Sequence, residues 1–237
     1  MQRTRLQPGK GKAELSKQSG SSNCPAMSPP HIYGITLANG STITHGIGAN
    51  VKRPFSDVPV VMHELDPGTR SFAGQLGFIE FSTEYRLPRH VHIAPAADEA
   101  SAERRFICER IVVLDGVALV ELNGERYVIP PKTLVSIAPG VPHTWTACPV
   151  GVTVGEGDAS VTSKGAFLML YEYEEATAFF PTWQTRTLER VEEYERCEDL
   201  ESIRFPEMSA KDVYEECWFA WDKQLTKKGQ NSGRTRY

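Results

Sequence analysis

From residue 31 onward the apolar residues fall in short alternating runs separated by turn formers, which is the pattern of strands rather than helices. Ile35–Leu37 and Thr42–Thr44 flank Asn39-Gly40, a pair that predicts a two-residue type I′ hairpin. Val58–Met62 reads as a strand, and Pro59 places it at a sheet edge. Gly77–Phe81, Ile111–Leu114 and Val117–Leu122 follow, the last two separated by Gly116. Asn123-Gly124 turns the chain into Tyr127–Ile129, and Leu134–Ile137, Thr144–Thr146 and Phe167–Tyr173 complete the set. About ten short strands with tight turns and no helix between them predict an all-β fold, an antiparallel sandwich or closed barrel.

The two ends differ from this body. Residues 1–30 are rich in Gly, Ser, Pro, Gln and Lys and hold few spaced apolar residues, so a disordered basic segment is expected there. Over 176–222 the spacing changes. Leu188, Val191 and Tyr194 recur at helical intervals within the acidic stretch Leu188–Leu200. Ser209 is a plausible N-cap for a second helix placing Val213, Cys217, Trp218 and Trp221 on one face. Residues 223–237 form a basic tail, which leaves 31–175 as the barrel domain and 176–222 as a helical extension.

Charge and composition narrow the function classes. The chain has 237 residues and 40% hydrophobic content, enough for one buried core. Residues 1–30 carry five Lys/Arg against Glu14 alone, and 223–237 carry five and no acid. Removing that +9 from the net −4 leaves −13 on residues 31–222, a body that repels phosphate backbones and excludes nucleic acid as its partner. No apolar run approaches the ~20 residues of a membrane span. The five cysteines (24, 108, 148, 197 and 217) are scattered and lack a C-x-x-C pair, which points to a reducing, cytoplasmic location and away from a cysteine-built zinc site.

Of six histidines, at 31, 45, 63, 90, 92 and 143, two stand at i and i+2 in Arg-Leu-Pro-Arg-His90-Val-His92. On a strand that spacing sends both rings to one face, as two imidazoles sharing a metal require. Downstream come Glu109-Arg-Ile-Val-Val-Leu-Asp-Gly116 and Ala138-Pro-Gly140-Val-Pro-His143. This arrangement resembles the cupin superfamily, whose first motif is G-x5-H-x-H-x3–4-E-x6-G and whose second is G-x5-P-x-G-x2-H-x3-N. His90 and His92 match the H-x-H, Glu109 the acid seven residues before Gly116, and His143 the second-motif histidine three residues after Gly140. Glu84 and Lys132 stand where the motifs open with glycine, Ala138 replaces the proline and Ala147 the asparagine. Sixteen residues separate His92 from Glu109, and Asp98, Glu99 and Glu103 within them are competing carboxylates.

The resemblance implies an antiparallel cupin-type β-barrel (jelly roll) in which His90, His92, Glu109 and His143 bind one divalent transition metal, with Glu109 also the candidate catalytic residue. Three imidazoles and a carboxylate suit Fe(II) first, and also Mn, Ni, Co or Zn. Four protein ligands on an octahedral ion leave two positions for a small-molecule substrate, alone or with O2. The preferred expectation is a dioxygenase acting on a small aromatic or enolisable substrate. The alternatives are a lyase, isomerase or cyclase using the ion as a Lewis acid, and a non-catalytic ligand-binding barrel. The resemblance also implies a homodimer.

Strand parity nominates neighbours. Arg86 and Pro88 share a face with His90 and His92, and Trp145 shares one with His143. Phe78 or Ile79, Val113 and Tyr171 would complete an apolar wall. The loop from Ala94 to Arg105 leaves the metal-binding strand and returns just before Glu109, so it is expected to act as a lid, with Arg104 or Arg105 meeting substrate on closure.

Overall fold

The computed structural model describes residues 34–52, 62–65, 74–94, 104–175, 177–228 and 235–236, all within the unit Ile32–Tyr237. The basic segment 1–30, the body of the expected 58–62 strand and residues 95–103 lie outside them. Strands are numbered in chain order. A six-stranded sheet runs Ile35–Thr36 (β1), Thr42–His45 (β2), Thr133–Ile137 (β10), Glu109–Gly116 (β7), Ala166–Tyr173 (β14) and Leu76–Ser82 (β5). An eight-stranded sheet runs Ala178–Pro181 (β15), His90–Ile93 (β6), His143–Ala147 (β11), Ala118–Leu122 (β8), Glu125–Ile129 (β9), Trp218–Trp221 (β16), Gln224–Thr226 (β17) and Thr235–Arg236 (β18). Two small pairs, Thr153–Val154 (β12) with Val161–Thr162 (β13) and Asn50–Lys52 (β3) with Met62–Glu64 (β4), complete the set. Neighbours are antiparallel except β16 with β9.

Alternation within each strand decides what lies inside. Ile111 and Val113 of β7, Val135 of β10 and Phe167 and Met169 of β14 pack from one sheet against Val120, Tyr127, Ile129 and Trp145 from the other. Burying such side chains contributes roughly 1.5–3 kcal/mol each, and this shared core holds the two sheets face to face. The fold is therefore the all-β, antiparallel cupin-type barrel expected from the strand pattern and the motifs.

The turns show which local signals the tertiary structure keeps. Asn123 and Gly124 both take positive φ (53° and 77°), as a type I′ hairpin demands. Asn39-Gly40 does not. Only Gly40 is left-handed (φ 83°), and Leu37 N–H donates to the Ser41 carbonyl at 2.8 Å. The three-residue loop with a glycine bulge fits the register Ile35↔Ile43, which a two-residue turn would shift.

The C-terminal extension is mostly not helical. Ser209 does cap a helix, Ala210–Glu216 (α1), its hydroxyl accepting from Asp212 N–H while Asp212 accepts from Ser209 N–H. The helix stops at Cys217, because Trp218 and Phe219 pair with Tyr127 and Val128 and extend the sheet. Leu188, Val191 and Tyr194 flank and open a single 3₁₀ turn, Val191–Glu193, and pack together on Val91 and Ile93. Residues 178–181, expected in the helical extension, form β15 against β6. No helix among the described residues is long and apolar enough to cross a membrane.

Candidate metal centre

His90 and His143 face each other directly across β6 and β11, their ring centroids 4.3 Å apart. His92, two residues along β6, turns its ring to the same side, 5.0 Å from His90 and 5.3 Å from His143. The ligand atoms of the three imidazoles lie within 4.8 Å of one another. Glu109 comes from the opposite sheet at the start of β7. Its Oε2 lies 3.0 Å from His143 Nε2 and 3.4 Å from His92 Nε2. The four side chains expected to form the site thus converge, three from one sheet and one from the other.

Local backbone geometry sets this up. Gly140, at φ 76°, makes the turn that delivers His143, and a Cβ there would lie 3.0 Å from the Phe106 ring. Lys132, where the motif has glycine, also sits in the left-handed region at φ 61°, so the backbone keeps the glycine conformation without the glycine. The Nδ1 atoms of His90 and His143 each lie 2.8 Å from a backbone carbonyl, of Pro88 and Val141. A carbonyl only accepts, so both rings carry hydrogen on Nδ1 and turn Nε2 into the cluster.

All four residues are buried, none more than 3% exposed. Both ring nitrogens of His92, His143 Nε2 and Glu109 Oε2 find no hydrogen-bond partner beyond one another. Buried polar atoms left so cost about 1–3 kcal/mol each, which coordination to a cation would offset. Burial pushes His90 well below its usual 6.5, and the neighbouring His143 and His92 add to it, so the ring is held neutral, the form that ligates. Burial alone would raise the Glu109 carboxyl. The His92 and His143 imidazoles outweigh it and hold the group far below the usual carboxylate range. Three imidazoles converging on a carboxylate fit a divalent first-row ion, and the oxygen-poor donor set fits Mg or Ca badly.

Two aromatic residues that sequence reasoning missed flank the cluster. Tyr173, opposite Glu109 in register, lies 4.5 Å from the His92 ring. Burial first, then the Glu109 charge, pushes its phenol above its usual 10, so it stays protonated. Its parity with the nominated Tyr171 was the available signal. Phe179 of β15 pairs with His92 and lies 4.4 Å from the His90 ring. No signal for it survived once 176–222 read as helical.

The remaining nominated residues lie elsewhere. The Arg86 guanidinium donates to the Phe205 carbonyl at 2.9 Å and pairs with Glu207 at 3.3 Å, since residues 85–87 precede β6 and do not share its parity. Trp145 is fully buried in the barrel core, 6.3 Å from Phe167. Arg104 lies over the Phe180 ring at 5.7 Å, and Arg105 pairs with Glu174 and Glu175. Ile79, Val113 and Tyr171 face inward, whereas Phe78 points outward and is 71% exposed. Asp98, Glu99, Glu103 and the body of the expected lid fall outside the described residues.

Behind the site runs a polar row. Antiparallel register sets Arg89, Thr144, Glu121 and Arg126 side by side on the outer face, one step from the inward row of His90, His143 and Leu122. Arg89 reaches across β11 to Glu121 with Nε at 2.8 Å and Nη2 at 2.7 Å, clasping the His143 strand from outside. Arg126 Nε stands 3.6 Å from the other Glu121 oxygen.

No family model matches the chain, and no curated protein matches it. Solved structures with some likeness include a dTDP sugar isomerase from Desulfovibrio desulfuricans, at 17% identity, covering 70% of this chain and 90% of that one, with a TM-score of 0.37. A TDP-quinovose 3,4-ketoisomerase from Campylobacter jejuni is 10% identical, covers 69% and 96%, and scores 0.39. A 3'-monoepimerase from Streptomyces bikiniensis is 14% identical, covers 62% and 69%, and scores 0.36. At these values the likeness bears on neither ligand nor reaction. What defines the class is internal to the chain: a cupin-type barrel carrying a buried three-imidazole, one-carboxylate cluster.

Proposed function

We propose that this chain is a mononuclear metal-dependent cupin enzyme in which His90, His92, Glu109 and His143 hold one divalent transition ion. The observation that carries the reading is the convergence of buried ligand atoms that satisfy no one else. When bound, the ion supplies Lewis acidity to a substrate oxygen. The chain's own residues do the rest. The Nδ1 bonds of His90 and His143 fix the ring tautomers, Glu109 neutralises charge and Tyr173 keeps a proton beside the carboxylate. Phe179 and the tyrosines shield the cluster from water.

Of the reaction classes such a centre serves, we favour proton transfer on an enolisable substrate, in the manner of an isomerase or lyase. Tyr173 is the reason, because a phenol that burial keeps protonated, paired in register with Glu109 and in ring contact with His92, is placed to give a proton at the ligand cluster and to recover it. The dioxygenase reading, with Fe(II) and O2, stands second and draws on the donor set, which leaves two open positions on an octahedral ion. Elemental mass spectrometry on untagged protein, beside His92→Ala, tests the metal. About one equivalent is expected in the wild type and little in the variant, and none after anaerobic loading with Fe(II), Mn(II) or Zn(II) would overturn the enzyme readings. Oxygen consumption in the loaded protein separates the two reactions.

We retain two coarser expectations. A homodimer is favoured by Leu76, Phe78 and Leu114, which stand 64%, 71% and 45% exposed on the outer face of the six-stranded sheet. Light scattering giving a monomer at micromolar concentration refutes it. A reducing, cytoplasmic location agrees with the four described cysteines, all free thiols.

A further inference from the structure

Phe179 is the one large apolar residue that is both extensively exposed and in ring contact with the imidazole cluster among the described residues. It is 45% exposed, yet its ring lies 4.4 Å from His90 and 5.4 Å from His92, two residues that are themselves buried. An exposed phenyl ring loses the free energy that burial would give, so its placement calls for something to cover it. Nor is the ring free to drift. Phe180, on the opposite face of β15, is flanked by the guanidiniums of Arg104 and Arg196 at 5.7 Å and 5.8 Å. Thr177 donates to the Ile93 carbonyl at 3.0 Å and Thr182 N–H to that of Arg89 at 3.1 Å, which ties both ends of β15 to the metal-binding strand. On the other flank of His92 stands Tyr173, with Tyr171 5.2 Å beyond it.

Charge around the cluster points the same way. Arg105 is paired with Glu174 and Glu175. Among the described residues, Arg104 stands over the Phe180 ring and Arg105 on its two carboxylates, so a diphosphate or other polyanion would have to displace an existing contact to gain a cation.

We propose that Phe179 is a specificity residue that stacks on a planar, conjugated substrate of low charge while that substrate's paired oxygens reach the ion. This rests on the metal-dependent reading above. Edge and face contacts between aromatic rings then add affinity that an aliphatic chelator of the same bite cannot gain.

The test uses the metal-loaded full chain and three probes: 4-nitrocatechol followed by its visible spectrum, acetohydroxamate, and dTDP as a polyanion, the last two by displacement. Phe179→Ala and Phe179→Leu are compared with the wild type after metal content is measured in each. Both variants are expected to keep the metal and lose about tenfold in 4-nitrocatechol affinity, with acetohydroxamate changed less than about twofold. dTDP is expected not to compete at millimolar concentration. An unchanged 4-nitrocatechol to acetohydroxamate ratio in metal-replete variants overturns the proposal, as does dTDP binding tighter than either chelator. A wild type that takes up no metal overturns the underlying centre instead, an outcome the metal measurement identifies before any probe is added.

Discussion

Cutting the clasp between Arg89 and Glu121 is the perturbation whose size the structure sets most directly. The two side chains are 13% and 5% exposed, so the pair is nearly out of water, and one carboxylate oxygen takes two guanidinium contacts. Replacing Glu121 with Met leaves Arg89 buried without its anion. Losing one partner of such a pair costs about 3–5 kcal/mol. The residual exposure of Arg89 argues for the lower end, and Arg126 keeps its second partner, Glu216. At about 2–4 °C per kcal/mol for a chain of this size, about 3 kcal/mol lowers Tm by roughly 6–12 °C. Arg89→Met with Glu121→Met together removes both charges and should recover most of the loss, giving a coupling of at least about 2 kcal/mol. Thermal and urea melts of the four proteins close the cycle. Arg89 adjoins His90 and spans the His143 strand, so the single Glu121 variant should also bind metal about tenfold more weakly. A single variant within about 1 kcal/mol of wild type, or a double variant no better than the sum of the singles, would refute the reasoning.

In metal-stripped protein, stability should fall as pH drops below about 6.5. The unfolded chain protonates His90 near its ordinary value while the folded chain holds it neutral, so the unfolded state binds more protons in that window. Tm measured from pH 8 to 5 should be flat and then decline, and His90→Asn should flatten the decline. Tyr173→Phe removes the hydroxyl of the residue paired in register with Glu109 and should weaken metal binding about tenfold by competition titration, with Tm of the metal-free form little changed. Unchanged affinity there removes the tyrosine from the site. Lys132→Gly relieves a left-handed side chain at φ 61°, and after the loss of unfolded-state restraint a net gain of up to about 1 kcal/mol is expected. A lower Tm would contradict it.

The ligand set was legible because its signals are local and geometric. H-x-H on a strand fixes a common face, and the positions of Gly116 and Gly140 mark where Glu109 and His143 enter. The extension was not legible. In Trp218-Phe-Ala-Trp221 a short apolar run serves helix and strand equally, and only the neighbouring Tyr127 and Val128 decide between them. Leu188, Val191 and Tyr194 still pack together, but around a single 3₁₀ turn, because Tyr194 is drawn in by its hydroxyl, which donates to the Gly140 carbonyl at 2.6 Å and accepts from Leu188 N–H at 2.9 Å. Asn39-Gly40 carried a correct hairpin signal and the wrong turn, since register on the partner strand outranked the dipeptide. Phe179 and the Arg89–Glu121 row follow from strand pairings that no spacing in the chain announces.

Glu109 reaches His92 and His143 only when the two sheets are docked, and that couples the site to the whole barrel. An ion that needs all four ligands binds the native packing and neither sheet alone, so it stabilises only the fully assembled state, by RT ln(1 + [M]/Kd). Metal affinity then reports on sheet docking. Thinning the core far from the cluster, at Phe167 for instance, should loosen the ion without touching a ligand. During folding the site is expected to form after the transition state, so added metal should slow unfolding far more than it speeds folding.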